Sequence, residues 1–117
     1  MAIAAPSQDT FPKLLLRHAQ ERGGQPAIRE KARGIWRTMT WRALADEAAA
    51  IAAALSARGL KRGAHAALVG DNRPRLYAGM AAVQWLGAVA VPLYQDSTSA
   101  DLAAALKGAG VTHVFAE

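Results

Sequence analysis

The chain of 117 residues contains no cysteine. Without thiols it can form no disulfide, present no thiolate nucleophile and bind no metal ion through sulfur. The lack of disulfides is compatible with a reducing compartment, and we expect a cytoplasmic protein. Thiol redox chemistry is excluded for this chain.

Large apolar side chains are scarce. Only 6% of the residues are aromatic, whereas 29 of the 117 are alanine, so the hydrophobic content of 52% overstates the volume available for packing. A chain of this length can bury roughly two-thirds of its unfolded surface. We therefore expect one domain with a thin core, and we interpret Trp36, Trp41 and Trp85 as its fillers.

The net charge of +5 includes no run of basic residues. Residues 1–75 carry 13 basic and six acidic side chains, and residues 76–117 carry one and three. The basic residues are scattered over several elements, and no aromatic residues are interleaved with them for base stacking. Solvated surfaces are the simpler interpretation, and we expect no nucleic-acid partner.

Residues 76–95 contain no charge, and their length approaches the ~20 residues of a bilayer span. They fit either a membrane helix or a buried helix followed by a buried strand. Gly87 and Pro92 interrupt a helix and Gln84 is polar, so the second interpretation is favoured and no membrane span is expected. The first ten residues lack a basic leader with an apolar core, so we expect no secretory signal.

The first 40 residues predict a helix and a β-hairpin. Thr10 is a plausible cap for an amphipathic helix over residues 11–21, which Gly23 and Gly24 end. Extended runs at 27–31 and 35–40 flank Ala32-Arg33-Gly34, a glycine-containing turn.

A second helix follows Thr40, because apolar residues recur at helical spacing before Gly59. Its apolar stripe comprises Trp41, Leu44, Ala45, Ala48, Ile51, Ala52 and Leu55.

The rest of the chain predicts a strand at 64–69, a helix from about Asn72 to Gly87 and a strand at 88–93. The unbroken apolar run at 88–93 indicates a parallel strand covered on both faces. Thr98-x-x-Asp101 then resembles a capping box for a helix to about Lys107, with Leu102 and Leu106 on its buried side, before a strand at 111–116. The predicted fold is α/β: a helix plus hairpin (10–40), then a helix and a parallel βαβαβ unit (41–116).

Ligands of parallel sheets bind beyond the carboxyl ends of the strands, which here are the loops at 70–73 and 94–97. The first loop fits either phosphate binding at a helix N-terminus or capping of that helix by Asp71 or Asn72. It lacks the Lys-Ser/Thr ending of a P-loop and the triple glycine of a dinucleotide site, so capping is favoured.

The histidines and the serine and threonine cluster are residue types that can bind metals or act as nucleophiles in enzymes. In this chain we interpret them as structural. His18, His65 and His113 fall on different elements without a second ligand at metal spacing, so no metal site is assigned. Ser97, Thr98 and Ser99 follow Asp96, but no base is suggested for a nucleophile, and a turn with a helix cap is simpler.

Six stretches, in the same order and with similar spacing, resemble the start of AMP-forming acyl-CoA synthetases of the adenylate-forming superfamily. Their residues are most similar to those of bacterial long-chain fatty-acyl-CoA ligases. They lie at residues 10–15, 27–31, 34–36 together with 40–41, 59–63, 70–77 and 91–96. The resemblance covers nearly all of residues 10–116. Departures are mild, such as Ala64 where aspartate is common.

The resemblance implies an enzyme that joins a fatty acid to AMP from Mg-ATP and transfers the acyl group to coenzyme A. The family's phosphate loop, Tyr-Gly-x-Thr-Glu motif, ribose-binding aspartate and catalytic lysine all lie later than Glu117. No catalytic, cofactor-binding or metal residue is therefore assigned, and we expect no cofactor bound by these residues alone.

We expect these 117 residues to be an N-terminal fragment of the large domain of such a ligase, whose catalytic remainder they lack, and to self-associate through uncovered surfaces. The alternative is a stand-alone α/β binding or interaction module without catalysis.

Overall fold

The computed structural model describes residues 9–117, which form four helices and five strands. In chain order these are α1 (Phe11–Arg22), β1 (Pro26–Ala32), β2 (Ile35–Thr40), α2 (Trp41–Ala57), β3 (His65–Val69), α3 (Pro74–Trp85), β4 (Val89–Leu93), α4 (Ser99–Gly108) and β5 (Val111–Ala116). β1 and β2 form an antiparallel hairpin, while β3, β4 and β5 form a parallel sheet in the order β4-β3-β5. The predicted α/β fold and the order of its elements are confirmed.

Three helices begin at threonine caps. In each, the threonine hydroxyl accepts a hydrogen bond from the backbone N–H three residues later, which satisfies a donor that the helix itself leaves unpaired. The caps are Thr10, Thr40 and Thr98, with N–O distances of 3.3, 3.1 and 3.1 Å. Local sequence thus sets where α1, α2 and α4 begin, as predicted.

The start of α3 differs from the prediction. Its N-cap is Arg73, which makes no capping hydrogen bond with its side chain, so the expected cap by Asp71 or Asn72 is wrong. Pro74 is the first helical residue and forces the residue before it into an extended conformation, with φ −113° and ψ 161° at Arg73. The helix therefore begins too late for Asp71 or Asn72 to cap it.

The hairpin turn is shorter than predicted. Ala32 pairs directly with Ile35, which leaves Arg33 and Gly34 as a two-residue loop. Both have positive φ, 52° and 78°, and two successive residues of this kind match the twist of a tight antiparallel hairpin. Arg33 occupies a conformation that favours glycine or asparagine.

The core consists of two buried clusters rich in alanine. One lies between α1 and α2 and includes Leu15, Leu44 and Ala48; the other joins α2 and α3 to the sheet. Half-buried Ile51 and Trp85 pack against both clusters. The expected thin core is confirmed, and so is the apolar stripe of α2.

The expectation that all three tryptophans fill the core is wrong for Trp36. Trp41 and Trp85 are half-buried against the clusters, whereas 59% of Trp36 is exposed. The inner face of the hairpin, with Ile28 and Met39, already packs against the helices. Trp36 lies on the opposite face.

The central strand β3 is the best covered, with Ala66, Ala67 and Leu68 buried. β4 lies at one edge of the sheet, and 46% of Val89 is exposed, so the predicted burial on both faces is wrong for the described residues. Its apolar side chains have no further strand or helix of residues 9–117 to pack against at that edge. Leu102 and Leu106 were predicted on the buried side of α4, and both are only half-buried, because α4 has no buried residue in the described part of the chain.

The uncharged segment 76–95 divides into a helix and a strand, as predicted. α3 ends at Trp85, Gly87 takes a positive φ of 73°, and β4 begins at Val89. Among residues 9–117, no helix combines the length and apolar character that a bilayer crossing requires.

Candidate functional site

The loops that follow β3 and β4 meet at one edge of the parallel sheet and enclose a cleft of about 440 Å³. We call it the carboxyl-end cleft. It is lined by Leu68, Gly70, Asp71, Asn72, Leu76, Pro92, Leu93, Tyr94, Gln95 and Asp96. The prediction that the two loops lie together at this edge is confirmed.

Asp71 connects the two walls of the cleft. The Gln95 side-chain amide donates a hydrogen bond to the Asp71 carboxylate, and the Arg73 guanidinium lies 3.9 Å from the other carboxylate oxygen. The sequence analysis missed this contact, although a signal was present. Val69 pairs with Leu93, and Asp71 and Gln95 each follow their strand by two residues, so equal offsets place them opposite each other.

The end of β5 lies against the floor of the cleft. The backbone N–H of Glu117 donates to the carbonyl oxygen of Val69 at 3.0 Å. A Cβ atom at Gly70 would stand 3.2 Å from the Cβ atom of Glu117, which is tighter than an ordinary contact. Glycine at position 70 therefore allows the strand end to approach.

The chemistry of the cleft does not fit the triphosphate of ATP. Its lining from residues 9–117 includes the carboxylates of Asp71 and Asp96 and the amides of Asn72 and Gln95, but no lysine or arginine. A polyphosphate requires cations and backbone N–H donors. Pro74 at the start of α3 lacks one such donor. The cleft fits a neutral or hydrogen-bonding group better than an anion.

A second cleft, of about 260 Å³, lies between the hairpin, α2, α3 and the end of β5. Its charged lining is balanced: three arginines (Arg37, Arg73 and Arg75) and three glutamates (Glu30, Glu47 and Glu117). The Arg75 Nε atom donates to the Glu47 carboxylate at 3.0 Å. The opposite charges offset one another, so this cleft does not attract a strongly charged ligand.

Two of the histidines connect elements through backbone carbonyl groups. The Nδ1–H group of His65 donates to the Ala109 carbonyl oxygen at 2.6 Å, which joins β3 to the end of α4. The Nε2–H group of His113 donates to the Arg58 carbonyl oxygen at 2.8 Å, which joins β5 to the end of α2. Their role is structural.

His18 is different, because its buried Nδ1 atom has no hydrogen-bond partner among residues 9–117, and its ring centroid lies 4.6 Å from that of Trp41. Within residues 9–117, no three or more His, Asp or Glu side chains are grouped so that they could hold a metal ion.

The hydroxyl cluster after Asp96 forms a turn and a cap, as predicted. The backbone N–H of Ser97 donates to the Tyr94 carbonyl oxygen at 3.4 Å, and Thr98 caps α4, of which Ser99 is the first residue. The Thr98 hydroxyl thus has a local structural role as the cap of α4.

Comparisons with known proteins connect this architecture to one family. A family model described as "AMP-binding enzyme" matches residues 15–117. A search of curated protein sequences gave no significant match.

Several solved structures share the fold. IdnL1 is 25% identical, with a TM-score of 0.83 over 91% of this chain. The N-terminal subdomain of Klebsiella oxytoca NpsA, in complex with 3-hydroxyanthranilyl-AMSN, is 27% identical, with a TM-score of 0.81 over 91% of the chain. A fatty acid AMP ligase from Legionella pneumophila has a TM-score of 0.82 over 90% of the chain; at 23% identity, this likeness shows the fold alone. The matches cover 22%, 26% and 19% of those three chains, so this chain spans about a fifth to a quarter of their length.

Proposed function

This chain belongs to the AMP-binding enzyme family, and on that premise we propose that it forms the N-terminal part of an AMP-forming acid–thiol ligase. The observation that carries the proposal is the family match over residues 15–117, which includes every strand of the parallel sheet. The proposed compartment is the cytoplasm, with which a chain free of cysteine is compatible.

The proposed reaction has two steps. The carboxylate of a long-chain fatty acid bonds to the α-phosphorus of Mg-ATP with release of pyrophosphate, and the thiol of coenzyme A then displaces AMP to give the thioester. The fatty acid is proposed because six stretches of the sequence resemble long-chain fatty-acyl-CoA ligases. Aryl acids are the competing substrate class, because NpsA structures at 27% identity contain 3-hydroxyanthranilyl and 3-hydroxybenzoyl ligands.

The role proposed for these residues is that of a scaffold. Among residues 9–117, the lining of the carboxyl-end cleft includes two carboxylates and no cation, so the triphosphate of ATP would be held by residues outside this chain. What this chain contributes is the edge of a parallel sheet on which further elements of the enzyme can be built. The alternative, a binding module that shares the architecture without the activity, makes a different prediction in the first experiment below, because it would show no activity with any carboxylate.

The first experiment uses the protein encoded by the complete open reading frame that contains this chain. Pyrophosphate release is measured with Mg-ATP and a panel of acids comprising palmitate, octanoate and 3-hydroxybenzoate, and thioester formation is measured after addition of coenzyme A. We expect palmitate to be the best substrate and the thioester to require coenzyme A. Activity with 3-hydroxybenzoate alone would contradict the substrate class, and no activity with any carboxylate would contradict the ligase.

The second experiment uses the 117-residue chain. Titration calorimetry with Mg-ATP is expected to give no heat of binding, because the described residues offer no cationic cradle for the phosphates. Micromolar binding of ATP by this chain would contradict the scaffold role, whatever the outcome of the first experiment.

A further inference from the structure

The two faces of the β1–β2 hairpin differ in character. Residues that pair across an antiparallel ladder share a face, and successive residues alternate. Ile28 pairs with Met39 on the inner face, and both pack against the α1–α2 cluster. The outer face carries the cross-strand pairs Arg29–Thr38 and Lys31–Trp36, to which the turn residue Arg33 is adjacent. We call Arg29, Lys31, Arg33, Trp36 and Thr38 the hairpin outer face.

This face is positively charged without compensation. Arg29, Lys31 and Arg33 have no carboxylate oxygen within 4 Å among residues 9–117. The acidic residue of the hairpin, Glu30, pairs with Arg37 on the inner face and lines the second cleft. Three cations therefore face solvent together.

Two of these cations lie over the Trp36 ring. The Arg29 guanidinium carbon lies 5.2 Å, and the Lys31 Nζ atom 6.0 Å, from the centroid of the Trp36 ring. The ring is still 59% exposed, and the neighbouring Ile35 is 63% exposed. Ile35 pairs with Ala32 and therefore lies on the inner face, so the tip presents one large exposed apolar side chain on each face, with the basic residues on the side of Trp36. The sequence analysis found no aromatic residue among the basic ones, because it did not consider the cross-strand pairing.

We propose that the hairpin outer face docks on an anionic lipid surface. Tryptophan locates at the boundary between lipid headgroups and acyl chains, where its ring meets both apolar and polar surroundings. Lysine and arginine beside it are attracted to the negative headgroups. The tight two-residue turn and the packed inner face hold the tip in a fixed orientation, so that docking requires little ordering of the chain.

A nucleic acid is the other anionic partner with which this charge is compatible, and the observations favour lipid. Single-stranded nucleic acids bind through successive aromatic residues that stack on the bases, whereas this face has one tryptophan. Ile35 at the tip has no π-face for stacking but gains from burial in an apolar layer. An apolar side chain exposed on each face of the tip is thus explained by insertion into lipid and not by base stacking.

The test is sedimentation of the 117-residue chain with vesicles of phosphatidylcholine alone or of phosphatidylcholine with phosphatidylserine. We expect partitioning to the second kind only, and we expect added salt to weaken it. Lys31→Glu is expected to lower the partition coefficient roughly fivefold or more, and Trp36→Ala roughly tenfold. In fluorescence, the parent chain is expected to show a blue shift on vesicles that Trp36→Phe lacks.

Matched controls separate this face from the net charge of +5. Lys61→Glu removes an exposed basic residue between α2 and β3, and Tyr94→Ala removes a side chain that is 83% exposed in the carboxyl-end cleft. Both are expected to partition like the parent, and circular dichroism checks that every variant is folded.

Three results would overturn the proposal. They are no binding to anionic vesicles, equal losses of partitioning for Lys31→Glu and Lys61→Glu, and displacement of the chain from vesicles by a single-stranded oligonucleotide at a concentration lower than that of the accessible lipid. None of these measurements depends on ligase activity, so the proposed function can fail without affecting the outcome.

Discussion

Gly79 of α3 lies so close to Phe115 of β5 that a Cβ atom at position 79 would stand 2.9 Å from the Cε1 atom of the phenyl ring. The same atom would lie 3.1 Å from the Cδ2 atom of Leu68, which is only 1% exposed. Glycine at position 79 therefore allows α3 to pack directly on the parallel sheet.

Gly79→Ala is expected to destabilise the fold despite the better helix propensity of alanine. The propensity gain is about 1 kcal/mol, whereas overpacking a closed contact costs typically 1–3 kcal/mol. We expect a net loss of about 1 kcal/mol in the free energy of unfolding, measured by urea denaturation. Gly108→Ala in α4, where an added Cβ atom meets no neighbour within 4 Å, is the control and should not destabilise. Equal stability of Gly79→Ala and the parent would mean that the Phe115 ring moves aside freely.

His18 and His65 should respond oppositely to replacement by phenylalanine. The Nδ1 atom of His18 is buried without a hydrogen-bond partner in the described part of the chain, so His18→Phe removes an unsatisfied polar atom and should leave stability unchanged or raise it by about 1 kcal/mol. His65→Phe breaks the hydrogen bond to the Ala109 carbonyl oxygen and should cost about 1–2 kcal/mol. Thermal melts of both variants provide the comparison. A larger loss for His18→Phe than for His65→Phe would contradict the structure.

Ile51→Asp should be severely destabilising, because Ile51 packs against both buried clusters. An unpaired carboxylate at this point costs on the order of 3 kcal/mol. Arg58→Ala, at the exposed end of the same helix, is the control; the bond from His113 to Arg58 uses the backbone carbonyl and survives the change. Denaturation of the two variants should differ accordingly, and a melt of Ile51→Asp that matches the parent would place this face in solvent.

The 117-residue chain is expected to self-associate, since β4 and β5 each leave one edge of the three-stranded sheet unpaired among the described residues. Val89 is 46% exposed and Val114 is 51% exposed, so apolar side chains accompany the open edges. Light scattering over a concentration series should show a rising mass. Val114→Lys should lower it, because a charge at a strand edge opposes pairing. Ala103→Lys, on the exposed side of α4, should not. A constant monomer mass at high concentration would contradict this expectation.

The sequence by itself determined the elements and most of their ends. A threonine cap and the N–H group it accepts from are three residues apart, and a glycine or proline acts on its own backbone, so this information is local. The starts of α1, α2 and α4, the hairpin and the three parallel strands could be read for that reason. The two loops of the carboxyl-end cleft could be placed at one edge of the sheet for a different reason, because neighbouring parallel strands end at the same edge.

Only the tertiary structure decided what each apolar or polar residue meets. Trp36 and Val89 are hydrophobic residues of a kind usually buried, yet they are exposed because no further helix or strand among the described residues covers them. Asp71 is a plausible cap in sequence, but it bonds to Gln95, 24 residues away, because β4 lies beside β3. The hydrophobicity of a side chain indicates how much free energy its burial would contribute. The partner that provides the burial is set by long-range packing, which local sequence does not encode.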